Sequence, residues 1–244
     1  MTLMRLLLCG LIGSLCLFPV LAGGQEGRSF DGLIEPSEVV KLCSPVQGTL
    51  AEITAERGDR VKKGQIVARL NTSIEKAAVD LAQARVEFAK RKVLRNEDLY
   101  RKELISIHEK DEMETELRIS ELQLQEAKEK LGQRTIRSTV DGVVVERRLS
   151  PGEYVGEEPI LKIARVHPLY VEVVVPAEKF GTLRRGMKAS VMPEIPISGK
   201  FVAHVIIVDT VIDAASGTFG VRLEMPNPDY RLPAGLKCKV LFAP

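Results

Sequence analysis

A short β-rich stretch of sequence occurs twice in this chain. Residues 44–61 are SPVQGTLAEITAERGDRV, and residues 138–155 are STVDGVVVERRLSPGEYV. Glycines recur at matching places with alternating apolar residues between them, a pattern typical of short strands that are separated by turns or by close approaches of two backbones. Aligned without a gap, the copies share the pairs Ser44/Ser138, Val46/Val140, Gly48/Gly142, Glu52/Glu146, Gly58/Gly152 and Val61/Val155.

Each copy is too small to be stable alone, since two short strands are marginal in water. We therefore expect the copies to pack on each other as one β-sandwich. The predicted strands are residues 48–55 and 65–70 in the first copy and 142–148 and 159–164 in the second. The structural turns are expected at Gly48, Gly58, Gly142 and Gly152, with a positive φ at Gly142.

Between the copies, the spacing of apolar residues changes from two to about three and a half, which predicts two helices. Thr72 with Glu75, and Ser106 with Glu109, have the spacing of capping boxes, so the turn is expected near residues 103–106. Gly132 is the expected stop of the second helix. The apolar rows are Ile74, Ala77, Leu81, Ala84 and Phe88 in the first helix, and Met113, Leu117, Ser120, Leu124, Ala127 and Leu131 in the second. The expected product is an antiparallel coiled-coil hairpin, about 40 Å long.

After the second copy, the alternating pattern returns and predicts a small β-barrel. Its expected strands are residues 169–175, 187–192, 201–209, 217–224 and 237–242, with a short helix at 177–183. A further strand from the segment before Ser44 would place the barrel and the sandwich side by side.

The order of these segments resembles the periplasmic adaptors, or membrane fusion proteins, of tripartite RND-type efflux pumps. GTLAEITAERGDRVKKGQIVARL and TVDGVVVERRLSPGEYV resemble the split lipoyl-like domain of that family, and LYVEVVVPAEKFGTLRRGMKASV and VIDAASGTFGVRLEMPNPDYRLPAGLKCKVLF resemble its β-barrel. The barrel resemblance includes Asp213, Gly217, Thr218, Asn227, Leu232 and Gly235.

The resemblance implies a mainly β fold with a long α-helical hairpin. The expected divisions are a signal peptide (1–22), an N-terminal segment (23–38), a split lipoyl-like domain (39–70 and 137–166), a helical hairpin (71–136), and a β-barrel domain (167–244) that can take a strand from 30–43. Since the chain stops directly after the last barrel strand, we expect a minimal adaptor that lacks the membrane-proximal domain of the family.

The implied function is that of a non-enzymatic subunit bridging an inner-membrane efflux transporter, of the proton-driven RND class, and an outer-membrane channel. A trimeric or hexameric homo-oligomer is implied as well. Arg95, Leu99 and Ser106 have the spacing of the family's channel-contacting residues at the hairpin tip. The alternative is that Arg95 and Leu99 are ordinary helix residues and that Ser106 is only an N-cap.

Two other functions stay open at this point. One is an adaptor of an ABC-type exporter or a type I secretion system. The more remote one is a lipoyl or biotinyl carrier modified at Lys76, within the EKA sequence at 75–77, although the pattern places Lys76 inside a helix. No catalytic site, metal site or cofactor site is predicted, because nucleophile–base pairs, ligand clusters and phosphate loops are missing from the sequence. The near balance of 35 basic and 33 acidic residues argues against nucleic-acid binding.

The first residues predict export to the periplasm. Arg5 precedes an apolar run that ends near Leu21, and Val20 and Ala22 suit a signal peptidase site. An uncleaved membrane anchor is the alternative, since the apolar run is close to the length that spans a bilayer. Cys9 and Cys16 would leave with the signal, and Cys43 and Cys238 could then form a disulfide or be small buried hydrophobic residues.

Overall fold

The computed structural model describes residues 29–243. The predicted signal peptide at 1–22, the alternative membrane anchor, Cys9 and Cys16 all lie outside the described residues. The strands in this range are β1 (Phe30–Leu42), β2 (Gly48–Ile53), β3 (Arg60–Val61), β4 (Ile66–Leu70), β5 (Thr135–Arg137), β6 (Gly142–Arg147), β7 (Tyr154–Val155), β8 (Leu161–Pro176), β9 (Lys188–Pro193), β10 (Phe201–Val208), β11 (Thr218–Met225) and β12 (Lys237–Phe242). The helices are α1 (Ser73–Arg101) and α2 (Ile107–Gln133).

The strands enclose two separate hydrophobic cores. One core belongs to a six-stranded barrel in the order β1-β12-β9-β10-β11-β8, which closes because β8 also pairs with β1. The other belongs to a sandwich, in which β1, β8, β6 and β3 form one layer and β5, β4, β2 and β7 form the other. Burial alternates along the strands as a period of two requires; in β11 the side chains of Phe219, Val221, Leu223 and Met225 enter the barrel core.

The two long strands β1 and β8 run through both cores. The first part of β8 pairs with β1 in the sandwich, and its last part pairs with β1 and β11 in the barrel. The sequence predicted two strands here, 159–164 and 169–175, separated by residues around His167. The prediction of a break was wrong, because pairing with β1 continues on both sides of a single irregularity between Pro36 and Glu38. The expected strand before Ser44 is present as β1.

The sandwich is built from the two copies of the repeated sequence, which exchange equivalent hydrogen bonds. The backbone N–H of Gly58 donates to the carbonyl of Val144 (2.8 Å), and the N–H of Gly152 donates to the carbonyl of Leu50 (2.7 Å). In the gapless alignment Gly58 corresponds to Gly152, and Leu50 corresponds to Val144. Each copy therefore completes the backbone bonding of the other.

The repeated glycines serve two different purposes. Gly58 and Gly152 have φ of 97° and 95°, a region that favours glycine. Gly48 and Gly142 instead begin strands, and the expectation of a positive φ at Gly142 was wrong. What Gly142 provides is space: a Cβ there would lie 2.4 Å from the carbonyl oxygen of Ala164 on β8.

The helices α1 and α2 pack against each other in antiparallel orientation. Contacts join the start of α1 to the residue after α2 (Glu75–Arg134), the middle of each helix (Lys92–Glu116, 2.7 Å), and the end of α1 to the start of α2 (Tyr100–Lys110). α1 has 29 residues and α2 has 27. At 1.5 Å per residue, the pair is about 40 Å long.

The helix ends differ in part from the sequence prediction. The Ser106–Glu109 capping box is present, with the Glu109 N–H donating to Oγ of Ser106 (3.2 Å). The Thr72–Glu75 box was wrong, because Thr72 lacks the extended conformation of such a cap and the Glu75 carboxylate binds Arg134 instead. Gly132 does not stop α2, which continues to Gln133. The short helix predicted at 177–183 is a single 3-10 turn, Ala177–Lys179.

The helical pair and the barrel lie at opposite ends of the sandwich. β4 leads into α1 after Leu70, whereas the residues before β4 bond to Ser138, the first residue of the second copy: the N–H of Gly64 donates to the Ser138 carbonyl (2.8 Å). The barrel follows from Ala164, which contacts Gly142 in that second copy. The sandwich thus separates a projecting helical rod from a compact barrel.

Candidate docking surfaces on the helical pair

The tip of the helical pair exposes apolar side chains. α1 ends at Arg101, Glu103 turns the chain with a φ of 58°, and Ser106 caps α2. Leu104 and Ile107, on either side of this cap, are 66% and 56% exposed. Apolar side chains on a short connection have no core to enter, so they are available to another surface.

Two of the three tip residues predicted from the sequence lie on α1, and the third lies at the cap. Arg95 and Leu99 are one turn apart and project from the same side of the helix. The carbonyl of Leu99 accepts a hydrogen bond from the N–H of Leu104 (2.9 Å), so Leu99 adjoins the exposed connection. Among residues 29–243, Arg95 takes part in no ion pair.

Ser106 is committed to the fold of the tip. Its hydroxyl donates to Oε2 of Glu109 (2.9 Å), and the same carboxylate oxygen accepts from the Ser106 N–H (2.8 Å). These two bonds from Ser106 lower the pKa of Glu109 below its usual value. Leu104 and Ile107 were not among the predicted tip residues, although two large aliphatic residues beside a predicted turn were a usable signal.

The contact row of α1 is shifted from the predicted one. The side chains that face α2 are at intervals of three and four from Glu75 onward, and Ala82 and Ala89 are its buried members. Small side chains at these positions let the helices approach closely, so this row, and not the row of larger residues beside it, forms the contact with α2. The predicted row lies on the neighbouring face: Ile74, Leu81 and Phe88 are 81%, 57% and 59% exposed. On α2 the predicted row does face α1, with Ser120 and Leu124 buried.

The exposed row of α1 borders an open groove along the helical pair. The groove has a volume of about 1090 Å³ and is lined by Leu81, Ala84, Phe88 and Ala89 from α1 and by Thr115 and Ile119 from α2, with charged residues at its rim. We call Ile74, Ala77, Leu81, Ala84 and Phe88 the outer row. A helix with apolar residues on two adjacent faces is suited to two partners, and α2 occupies only one of these faces.

Arg134 fixes the base of the helical pair on the sandwich. Its guanidinium donates to the carbonyl of Gln47 (2.9 Å) and pairs with the carboxylate of Glu75 (2.6 Å). The backbone carbonyl of Arg134 also accepts from the N–H of Leu70 (2.9 Å). The Arg134 and Glu75 side chains are only 22% and 16% exposed, so solvent and salt screen this pair less than a surface ion pair. These bonds hold the base of the helical pair against the sandwich, and they thereby set the direction in which the tip projects.

Other candidate sites named from the sequence are not assembled. Lys76 lies in the first turn of α1, with its N–H donating to the Thr72 carbonyl, rather than on a β-turn. Cys43 is exposed and Cys238 is buried in the barrel core, and both are free thiols.

No group of His, Cys, Asp or Glu within residues 29–243 is arranged to hold a metal ion. Neither of the two helices in this range is long and apolar enough to cross a membrane.

The chain matches two protein-family models in sequence. Residues 38–164 match the CzcB-like, barrel-sandwich hybrid domain, and residues 168–244 match the CusB-like, beta-barrel domain. The first match alone covers more than half of the chain.

The chain is also similar to named proteins and to a solved structure. It is 23% identical over 233 residues to the cobalt-zinc-cadmium resistance protein CzcB of Cupriavidus metallidurans (87% of this chain, 44% of CzcB), and 26% identical over 227 residues to the multidrug resistance protein MdtA of Escherichia coli (82% and 54%). The crystal structure of a MacA-MexA chimeric protein, which contains the Pseudomonas aeruginosa MexA alpha-hairpin domain, superposes with a TM-score of 0.75 at 19% identity, over 88% of this chain and 81% of the chimera. This likeness concerns the fold. The chain spans about half the length of the curated relatives it matches.

Proposed function

Because the chain belongs to the membrane fusion, or periplasmic adaptor, proteins of efflux systems, which are not enzymes, we propose that it bridges an inner-membrane efflux transporter and an outer-membrane channel in the periplasm. The observation that carries this proposal is the arrangement of the two ends. A rod about 40 Å long with an apolar tip projects from one end of the sandwich, and the barrel lies at the other. Two separate surfaces on a stiff body are what a bridging subunit requires.

We propose the RND class for the transporter. The support is that both family models that cover the chain are named after CzcB and CusB, and that MdtA is among the relatives. A partner of the ABC class would change the transporter in this proposal and leave the bridge intact.

In this proposal the tip contacts the channel. Leu99, Leu104 and Ile107 supply an apolar surface, and Arg95 supplies a cation that can donate to carbonyl or carboxylate oxygens at the end of a channel helix. Ser106 acts indirectly, by capping α2 and so fixing where Leu104 and Ile107 project.

The outer row of α1 is the proposed contact between neighbouring copies of the chain. Its apolar groove lies along the length of the helical pair, so copies placed side by side would cover it and form a tube. We propose a ring of three or six copies, as the resemblance implies. The domain division is likewise proposed as a split lipoyl-like domain, a helical hairpin and a β-barrel, with support from the two separate cores.

A charge reversal at the tip tests the bridge. We expect Arg95→Asp to abolish efflux-dependent resistance in cells while leaving the circular dichroism spectrum and the amount of protein unchanged. Arg118→Asp on α2 is the matched control, since Arg118 is exposed and, within residues 29–243, forms an ion pair with Glu121 alone. If cells with Arg95→Asp keep full resistance, the tip does not make the proposed contact.

A further inference from the structure

A groove between the sandwich and the barrel has the composition of a ligand site. It has a volume of about 580 Å³, within the range of about 300–1,000 Å³ that is usual for small-molecule sites. One wall is the outer face of the sandwich layer β1-β8-β6-β3, and the other is the barrel segment that contains Tyr230, Leu232, Pro233 and Ala234. The groove lies apart from the tip and from the outer row of α1.

The sandwich wall of this groove is apolar on the side that faces away from the core. Strand pairing aligns Val39, Ala164 and Val143 in one row across β1, β8 and β6. Val39 and the nearby Val145 are 46% and 39% exposed. The outer face of a half-buried sheet is normally polar, so a valine-lined outer face favours contact with an apolar group.

The row of Val39, Ala164 and Val143 ends at a cation. Arg60 on β3 pairs with Val143 in the register of the sheet, and its guanidinium lies 4.4 Å from the centre of the Tyr230 ring on the barrel wall. Tyr230 has a φ of 58°, which is uncommon outside glycine, and the backbone around it is fixed by Asn227. The Asn227 amide donates to the carbonyls of Val166 (3.0 Å) and Leu232 (2.9 Å). The barrel wall is therefore held in a defined place against Arg60.

Among the described residues that line the groove, two are cationic, Arg60 and Lys162, and none is acidic. Lys162 lines the groove, and Lys41 lies directly opposite it on β1. Within residues 29–243, neither lysine forms an ion pair and neither does Arg60. Three nearby carboxylates are bound by arginines: Glu146, which lies directly opposite Lys162 on β6, by Arg148 (3.0 Å), Glu38 by Arg165 (3.3 Å) and Asp229 by Arg231 (3.5 Å).

We propose that this groove binds a small anionic amphiphile of the fatty-acid type. The apolar chain would lie along Val39, Ala164 and Val143, and the carboxylate would be held by Lys162, with Arg60 as the second cation. A lining with an apolar strip, two cations and no carboxylate fits a ligand that is both anionic and apolar, and it disfavours a cationic ligand of the same length. The proposal does not depend on the bridging function, because the groove lies outside the tip.

The test is calorimetric titration of the full chain with dodecanoate below its critical micelle concentration. We expect one saturable site per chain, and no site for dodecyltrimethylammonium, which has the same chain and the opposite charge, or for acetate, which has no chain. Lys162→Glu is expected to weaken dodecanoate binding by at least about tenfold, since a charge-assisted bond is lost and a repulsive charge added. Lys128→Glu on the exposed side of α2 is the charge-matched control and is expected to leave the affinity unchanged.

A second variant separates a ligand site from an interface between copies. Val145→Asp places a carboxylate on the apolar wall and is expected to abolish dodecanoate binding while leaving the sedimentation coefficient of the chain unchanged. The proposal is overturned if dodecanoate does not bind, if dodecyltrimethylammonium binds equally well, or if Lys162→Glu retains the affinity. It is also overturned if Val145→Asp dissociates an oligomer of a chain that does not bind dodecanoate, because the groove would then be a contact between copies.

Discussion

Replacing Gly142 by alanine tests how the two copies of the repeat pack. The added Cβ would lie 2.4 Å from the carbonyl oxygen of Ala164 and 3.0 Å from Cγ2 of Ile163, and the first contact involves backbone that cannot rotate away. Strands β6 and β8 must separate locally by about 1 Å or more to restore normal contact distances. Overpacking costs about 1–3 kcal/mol, and each backbone hydrogen bond lost between the strands costs about 1 kcal/mol more. We expect a loss of about 2–4 kcal/mol in the free energy of unfolding.

Two other glycines provide matched controls for this substitution. At Gly48, the equivalent position of the first copy, the Cβ would meet the Nη1 atom of Arg134, a side-chain atom that can shift only by weakening its hydrogen bond to the Gln47 carbonyl. At Gly156 the Cβ would meet nothing within 4 Å. The expected order of destabilisation is Gly142→Ala, then Gly48→Ala, then Gly156→Ala. Urea denaturation followed by circular dichroism, with hydrogen exchange to locate the change in β6 and β8, measures this order. If Gly142→Ala is as stable as Gly156→Ala, then the close approach of β8 to position 142 does not require glycine there.

Three further predictions concern the ends of the helical pair and the thiols. Arg134→Met should leave both cores folded but widen the distribution of distances, measured by spin labels, between the tip and the sandwich, because the bonds to Glu75 and Gln47 are lost; an unchanged distribution would remove Arg134 from this role. The backbone amides of the tip should be protected from hydrogen exchange above the usual pKa of a glutamate, and this protection should be lost as the pH falls through the lowered pKa of Glu109. Glu109→Gln should show no such transition, and equal pH profiles of the two proteins would show that the Glu109 carboxylate does not stabilise the cap. Burial chiefly, with help from two nearby carboxylates, raises the pKa of Cys238 to about 11. Iodoacetamide at pH 8 should therefore modify the exposed thiol of Cys43 and spare Cys238. Rapid modification of Cys238, detected by peptide mass spectrometry, would show that the barrel core opens.

The repeat was the most informative feature of the sequence. The gapless alignment predicted that the two copies pack on each other as one sandwich, and the strand bounds 237–242 were predicted without error. The Ser106–Glu109 cap was equally accessible, because a capping box depends only on residues three apart. These features are local or nearly so, which is why a single sequence was sufficient for them.

The errors occurred where distant residues decide the outcome. α1 has two overlapping apolar rows, and only the packing of α2 selects the row with Ala82 and Ala89 over the one with Leu81 and Phe88. Glu75 matched a capping box, yet Arg134, which is distant in sequence and follows α2, binds it instead. The need for glycine at position 142 likewise arises from a carbonyl on another strand. No pattern in neighbouring residues contains that information.

The bridge is tested most directly by photo-crosslinking in living cells from a residue at the tip. A photoreactive amino acid at Leu104, which is 66% exposed, is compared with the same amino acid at Lys128, which is exposed on α2 but far from the tip. We expect the Leu104 adduct to contain an outer-membrane channel protein and the Lys128 adduct to contain none. An intact, expressed protein whose Leu104 adducts contain only copies of itself or inner-membrane proteins would contradict the bridge.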